Sequence, residues 1–368
     1  MKETSVAMVL EGPNQPLVPR ELLIPKLEPG QALVKITAAG ICGSDVHMWR
    51  GRDPRTPYPV ILGHEGTGEI VAVRGAKTSV GGQELKAGCK VLWNRAVVCG
   101  RCYWCTRAGQ PGLCPERWVY GIHRSLNQPT YLNGCYSQYL VLDARTDVFL
   151  LEDEDTDPAR LVAASCSGAT AAHGIELCSP REGDVVVVQG PGPLGMFAVA
   201  FARDMGASAI VVIGGTEERL DLSREFGATT LLNRQRTTVK ERAAAVLDLT
   251  EGRGADLVIE AVGLPSAYRE GLGLVRRGGA YVSIGVGTPV GSVELDLYRD
   301  IVFKNLRLQG VWVSHTRHTG MALQLMRKYP AEFSRLVTHR FLLEEATKAL
   351  ETVEAKQAVK AVLVSYSC

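Results

Sequence analysis

The sequence predicts an α/β protein, in which a doubly wound, six-stranded parallel sheet is inserted into a mostly β domain. Three observations predict it. A glycine-rich loop, Gly190-Pro191-Gly192-Pro193-Leu194-Gly195, follows an apolar run and opens a helical one. Further apolar strand-like runs then alternate with helical segments as far as residue 309. Before that block, short strands and glycine turns follow one another without long helical periodicity. The expected domains are 1–167, with a cysteine lobe over about 95–116, then 168–309 for the inserted sheet, and 310–368 for a return to the first domain.

The 368 residues suffice for two domains with sizeable cores. With 46% hydrophobic and 22% charged residues the chain reads as soluble and globular. Net charge is +2 and no block of Lys and Arg with interleaved aromatics occurs, which argues against a nucleic-acid partner. No apolar run approaches the length of a membrane span, and Met1-Lys2-Glu3-Thr4-Ser5 lacks the apolar core of a signal peptide. A cytoplasmic location with no membrane partner is expected. In that compartment ten cysteines are metal ligands or buried thiols rather than disulfides.

In chain order, Ala32–Thr37 reads as a strand after the Pro29-Gly30 turn, as do Gly68–Val73 and Lys90–Trp93. Between the first two lies Cys42-Gly43-Ser44-Asp45-Val46-His47, then a Pro-rich span, then Gly63-His64-Glu65-Gly66. A thiol, a hydroxyl, two carboxylates and two imidazoles within two dozen residues make a dense set of metal-binding and proton-moving groups. Cys and His suit zinc, and a catalytic zinc takes three protein ligands with one position open. Further on, Cys99, Cys102, Cys105 and Cys114 are spaced Cys-x2-Cys-x2-Cys-x8-Cys. Four thiolates can close a tetrahedral shell around a structural zinc. An iron–sulfur cluster and plain buried thiols are the alternatives, and the long last gap disfavours the former.

The acidic run from Glu152 to Pro158 reads as a solvated loop with a helix start, and Leu161–Leu177 as one helix with Cys166 and Thr170 on one face. Asp184–Gln189 is an apolar strand, followed by the glycine loop and a helix from Met196 to Met205. The glycines let a pyrophosphate approach the backbone at a helix N-terminus, the chemistry of a dinucleotide site. Ile210–Ile213, Thr230–Leu232, Asp256–Glu260, Ala280–Ile284 and Asn305–Leu308 complete the six strands. The second strand of such a unit usually ends in an acid for the ribose hydroxyls. Here Gly214 stands there, with Arg219 in the following turn, which removes a charge that would repel a 2′-phosphate. Glu217 and Glu218 weigh the other way, so NAD and NADP both stay open with NADP favoured. Met321–Tyr329 and Glu344–Ala355 read as helices, the latter with Glu344 and Lys348 at i,i+4, and Ala361–Val364 reads as a strand that rejoins the first domain.

Together, Gly40-Ile41-Cys42-Gly43-Ser44-Asp45-Val46-His47, Gly63-His64-Glu65-Gly66-Thr67-Gly68, the four-cysteine lobe and the glycine loop resemble the zinc-dependent medium-chain alcohol dehydrogenases. The resemblance covers essentially the whole chain. It implies a Rossmann sheet inserted into a GroES-like catalytic domain, two zinc ions per chain, and hydride transfer between an alcohol and NAD or NADP. It implies that Cys42, His64 and Cys166 bind the catalytic zinc and that Cys99, Cys102, Cys105 and Cys114 bind the structural one. Glu65 would sit beside the metal, Asp45 would orient His64, Ser44 would contact the substrate oxygen and His47 would relay its proton. Gly190, Gly192, Pro193, Leu194, Gly195, Gly214, Arg219, Thr170 and Val262 would contact the dinucleotide, and Lys360 its pyrophosphate. The site would be a cleft between two domains, and the assembly a homodimer or homotetramer. Two features depart from the family: an eight-residue last gap in the lobe where seven is usual, and the missing acid at Gly214. Cys166 also argues against the polyol-dehydrogenase branch, which generally has Glu there. A zinc-independent reductase of the same fold and a non-enzymatic zinc or dinucleotide-binding module are the rival readings. Trp49, two residues past His47, is expected at the substrate pocket; Trp93, Trp118 and Trp312 are expected in the core, and Cys89, Cys135, Cys178 and Cys368 are expected to be structural.

Overall fold

Apolar runs of the predicted kind form strands throughout a computed structural model that describes residues 3–152 and 157–365. Most of the acidic run, 153–156, and Cys368 lie outside the described residues. The chain divides into two units. One comprises Met1–Cys166, His315–Gly320 and Phe333–Cys368; the other comprises Ser167–Ser314 and Met321–Glu332. This division differs from the sequence boundary at 309/310, because the second unit's last strand runs to Gly310 and Val311 N–H still bonds to Ser283 O.

The first unit opens with β1 (Thr4–Leu10), β2 (Val18–Leu23), β3 (Ala32–Ile41), α1 (Gly43–Trp49), β4 (Val60–Ile61) and β5 (Glu65–Val73). It continues with β6 (Lys90–Trp93), β7 (Ala96–Val97), α2 (Tyr103–Thr106), β8 (Trp118–Val119), β9 (Tyr139–Leu142), β10 (Val148–Leu150) and α3 (Pro158–Leu161). The second unit holds α4 (Ser167–Cys178), β11 (Val185–Gln189), α5 (Pro193–Asp204), β12 (Ala209–Gly214), α6 (Glu217–Phe226) and β13 (Thr230–Asn233). Then come α7 (Val239–Leu249), β14 (Ala255–Glu260), α8 (Pro265–Leu274), β15 (Val275–Ser283) and β16 (Arg307–Gly310). After α9 (Thr316–Lys328) and α10 (Pro330–Ser334), the first unit resumes with β17 (Val337–Leu342), α11 (Ala346–Glu354) and β18 (Lys360–Val364).

In the first unit the strands run β10-β6-β5-β3-β18-β17, with β9 also paired to β3. β3 is antiparallel to β5, β9 and β18 and is buried along most of its length, which suits its small residues Ala38, Ala39 and Gly40. The final strand therefore joins the first unit, next to β3. Trp49 lies in this core, 3% exposed, with its indole N–H given to Gln15 O at 2.7 Å; it is a packing residue, not the pocket residue expected. Trp93 and Trp118 are buried as expected, while Trp312, in the second unit, is 44% exposed.

The second sheet runs β13-β12-β11-β14-β15-β16, and every pairing is parallel. β11 is Val-Val-Val-Val-Gln and is buried at every residue, as a strand covered on both faces requires. The caps follow local chemistry. Pro193 takes the first position of α5, where its missing N–H costs nothing. Thr238 and Glu241 close a reciprocal capping box on α7.

Two local expectations are corrected. The helix expected over Leu161–Leu177 is broken: α3 and a short 3-10 turn end at Cys166, whose φ of −122° and ψ of −80° leave the helical region, and α4 starts at Ser167. Cys166 and Thr170 therefore do not share a helix face. At the C-terminal helix, Lys348 pairs with Glu345 at 3.1 Å rather than with Glu344, at the i,i+3 spacing that also brings side chains together on a helix.

Glu260, fully buried at the end of β14, accepts N–H bonds from Val262 at 2.6 Å and Gly263 at 2.5 Å and a hydroxyl from Ser283 at 3.2 Å. Glu260→Ala leaves the buried Gly263 N–H and the part-buried Val262 N–H without this acceptor, and should lower the urea stability of the second unit by about 1–3 kcal/mol, with Glu260→Gln nearer wild type. Equal midpoints for all three proteins would contradict this account of the strand end.

Candidate functional site

Among the described residues, two groups of His, Cys, Asp or Glu could each hold a metal ion: Cys42, His64, Glu65 and Cys166, and Cys99, Cys102, Cys105 and Cys114. In each group the candidate ligand atoms lie within 4.8 Å of one another. The nine described cysteines are all free thiols.

Strand register assembles the first group. β3 ends at Ile41, so Cys42 falls at the N-cap of α1; His64 directly precedes β5, whose Glu65 pairs with Gly40. A side chain at Gly40 would run into the Glu65 carboxylate and Val162, so glycine keeps the two strands close. Cys166 arrives at the break described above, with its Sγ 3.9 Å from Cys42 Sγ. Two sulfurs bound at ~2.3 Å to one tetrahedral zinc lie roughly 3.8 Å apart, so the unbridged thiols fit that ion. Ser44 Oγ lies 3.2 Å from Cys42 Sγ and 3.5 Å from His64 Nε2. His47, three residues further along α1, is half-buried, and its Nδ1 is buried without a hydrogen bond.

Around these atoms is a ring of buried charge. Asp45 Oδ2 accepts the Cys42 N–H at 2.8 Å and the Tyr136 hydroxyl at 3.3 Å, while Oδ1 stands 3.2 Å from His64 Nδ1. His64 Nε2 is thereby turned toward the sulfurs. Arg95 Nη1 lies 3.2 Å from Cys166 Sγ. Lys360 departs from its expected place at a pyrophosphate. It is buried within the first unit, ion-paired with Glu65 and donating to Ile41 O at 3.0 Å, so its charge is committed to Glu65.

Protonation follows from this ring. A hydrogen bond from the Cys166 thiol holds Cys42 well below the usual thiol range against the penalty of burial, helped by His64 and Lys360. The same hydrogen bond, with burial, pushes Cys166 well up. Burial opposes charge on His64, but Asp45 and Cys42 outweigh it and hold the imidazole at about 10. Burial raises Glu65, partly offset by Lys360. The ring thus favours a thiolate at Cys42 beside an imidazolium at His64.

The second group lies between β7 and β8. Cys102 and Cys105 flank the start of α2 with their sulfurs 3.6 Å apart, and Cys99 Sγ accepts the Cys102 N–H at 3.4 Å. Backbone donors, first that of Arg101, lower Cys99 to about 7, whereas burial raises Cys105 to about 12. The eight-residue gap is taken up by a 3-10 turn at Pro111–Leu113.

The glycine loop lies between β11 and α5 in the second unit. Gly190 has a φ of +98°, and a side chain there would strike Ala261 and Val262. A Cβ at Gly195 would collide with Gly190 O, whereas at Gly192 it would meet nothing within 4 Å. Gly192 caps α5 without a side-chain bond. Pro193 and Leu194 form its half-buried first turn, so the loop presents open space to uncapped N–H groups, which fits a pyrophosphate. At Gly214 a Cβ would lie 2.6 Å from the Pro191 ring, so the loop's own proline excludes the usual acid. Beside it, a Cβ on Gly215 would lie 3.0 Å from Arg234 Nε, which places this guanidinium at the end of β12. Glu217 is engaged by Arg236 at 2.9 Å and Asn233 at 2.8 Å. Arg219 and Thr170 are half-buried on α6 and α4, and Val262 is 41% exposed beside Gly190.

Sequence reasoning missed Arg95, Tyr136 and Arg234. Arg95 left a trace: it is the one charge in the apolar stretch from Val91 to Val98.

Residues 28–153 match the alcohol dehydrogenase GroES-like domain, and residues 193–328 match the zinc-binding dehydrogenase domain. The chain is 35% identical to 5-exo-hydroxycamphor dehydrogenase of Pseudomonas putida over 92% of each chain. A crystal structure of an alcohol dehydrogenase from Thermotoga maritima superposes with a TM-score of 0.95 at 47% identity, covering 98% of this chain and 99% of that one. A Sinorhizobium meliloti protein solved with NADP bound is similar at 28% identity and a TM-score of 0.86, covering 99% and 100%. These likenesses place the chain in one known enzyme class. The chain belongs to the zinc-dependent medium-chain alcohol dehydrogenases and is an oxidoreductase that acts on CH–OH donors with zinc and a nicotinamide cofactor.

Proposed function

We propose that Cys42, His64 and Cys166 hold the catalytic zinc, and that Ser44 and His47 carry the proton of a bound alcohol away. The observation that carries the reading is the convergence of two thiols and one imidazole around Ser44 Oγ. Zinc there supplies a Lewis acid that makes an alcohol proton easier to lose, and the nicotinamide accepts the hydride. Ser44 takes the proton, since its hydroxyl borders both Cys42 and His64. His47 passes it outward, being one helical turn along α1 with an unbonded Nδ1. Asp45 fixes the tautomer and ring direction of His64, as carboxylate partners of metal-binding imidazoles do. Lys360 holds Glu65 beside the site and balances its charge.

Cys99, Cys102, Cys105 and Cys114 hold a second, structural zinc in this reading, which leaves no open position there and hence no chemistry. For the dinucleotide, NADP is preferred. The exclusion of a side chain at Gly214 and the placement of Arg234 beside Gly215 support this, with Arg219 as a second cation. Self-association as a dimer or tetramer is supported by Leu297, Tyr298, Val302 and Phe303, all more than half exposed just before the edge strand β16. Free thiols fit a cytoplasmic location, and among the described residues no helix is long and apolar enough to cross a membrane.

Alcohols assayed with NAD and NADP should be oxidised by the wild type. Cys42→Ala should lose activity with every alcohol, and Ser44→Ala should lose at least about tenfold in kcat while keeping its zinc. Full turnover by Cys42→Ala would end the metal assignment. Zinc uptake by stripped protein offers a test that does not involve turnover. Since His64 is held protonated to about 10 and Cys166 is held as the thiol, filling this site at neutral pH should release about two protons. Uptake without proton release would mean that the ion binds elsewhere. Arg234→Ala should weaken NADP binding by about tenfold or more and leave NAD binding within about twofold, measured by nicotinamide fluorescence; equal losses for both would remove Arg234 from selectivity.

A further inference from the structure

We infer that the substrate alcohol carries an oxyanion, a carboxylate or a phosphoryl group, bound by a cationic cluster around β7 and β8. The inference rests on the dehydrogenase reading of the Cys42–His64–Cys166 site and names its substrate class.

β7 and β8 form a small sheet of their own, with Ala96 opposite Val119 and Val97 opposite Trp118. Arg95 directly precedes β7 and Arg117 directly precedes β8. His123 lies in the turn after β8, its N–H on Val119 O at 3.3 Å. Arg95 reaches Cys166 Sγ, so the cluster extends to the sulfur of the proposed catalytic site. The chain between the two strands is the four-cysteine lobe, and Arg117 follows Cys114 by three residues. A metal in that lobe would therefore fix Arg117 in place.

The two arginines and the imidazole act on one another, and His123 stays neutral at neutral pH. Arg117 is drawn down to about 9, by burial first and then by Arg95 and Arg55. His123 is pushed down to about 4, by burial first and then by Arg117 and Arg55. Asp53 is the acid of the group, and it is already gripped by Arg55 through Nε at 2.8 Å and Nη2 at 2.6 Å. The sulfurs of Cys114 and Cys166 act on Arg117 in the opposite sense, more weakly than burial, Arg95 and Arg55. Nε and Nη2 of Arg117 are buried and make no hydrogen bond. Burying a guanidinium without an acceptor is costly, and a carboxylate or phosphoryl group on the substrate supplies two oxygens in the geometry that the guanidinium fork matches. A neutral alcohol would leave those donors unmet, so the cluster discriminates against it.

The test pairs kinetics with direct binding. Propanol, β-hydroxypropanoate and β-hydroxyethylphosphonate are compared by kcat/KM with NAD and with NADP. Inorganic phosphate and acetate are titrated calorimetrically into the zinc-loaded enzyme. An anionic alcohol should exceed propanol by about a hundredfold or more, and Arg117→Gln should shrink that ratio at least about tenfold and abolish calorimetric anion binding. Arg117→Lys, which keeps the charge, should retain part of both. Zinc content reports whether each variant is folded. Binding of phosphate alone assigns a phosphoryl group, and of acetate alone a carboxylate. If propanol is turned over as well as the anionic alcohols and neither anion binds, the anion site is wrong and the dehydrogenase reading stands. If no alcohol turns over while wild type binds an anion that Arg117→Gln does not, the anion site stands and the dehydrogenase reading fails.

Discussion

The register of β3 against β5 and β18, two of its three antiparallel partners, is the constraint on which the metal site depends. Gly40 faces Glu65 on one side, and Ile41 faces Ala361 on the other. That register delivers Cys42, His64, Glu65 and Lys360 to one point, although they span more than three hundred residues of chain. A slip of one residue in either pairing would turn Glu65 or Lys360 to the opposite face of the sheet. The pairing is held by burial on both sides of β3 and by the lack of a side chain at Gly40, which lets the Glu65 carboxylate pack against the neighbouring backbone.

Charge is the second organising term. The pocket holds a thiolate, an imidazolium, two carboxylates and an ammonium, most of them without solvent. Isolated, each would be expelled or neutralised. Paired as Asp45 with His64 and Glu65 with Lys360, they persist, and Cys42 can stay ionised. Such pairs stabilise little in net terms, and removing one partner is what costs heavily. Their use here is to keep ligand atoms aimed at a common point.

Much of this was legible in the sequence, and the limits have physical causes. The strand–glycine loop–helix unit and the cysteine lobe are local patterns, set by turns and ligand spacing within one or two dozen residues, and both are found as compact units. Cys42 and His64 are also close in sequence and meet as neighbours of paired strands. Cys166 was harder, because its place depends on a break between α3 and α4 where the Ala- and Gly-rich sequence reads as continuous helix. Lys360 was assigned to a pyrophosphate from resemblance, and only the pairing of β18 with β3 reveals its burial against Glu65. Gly214 was legible as a missing acid, but its cause, the Pro191 ring, belongs to a different strand end. Arg95 and Arg117 belong to no motif; their meaning comes from a two-stranded sheet too short to recognise in advance.

The most direct measurement is anomalous diffraction at the zinc edge on crystals of the zinc-loaded protein. The account predicts an anomalous peak at about 2.3 Å from the sulfurs of Cys42 and Cys166 and about 2.0–2.1 Å from His64 Nε2. Fully loaded crystals with no peak between those three atoms would contradict it.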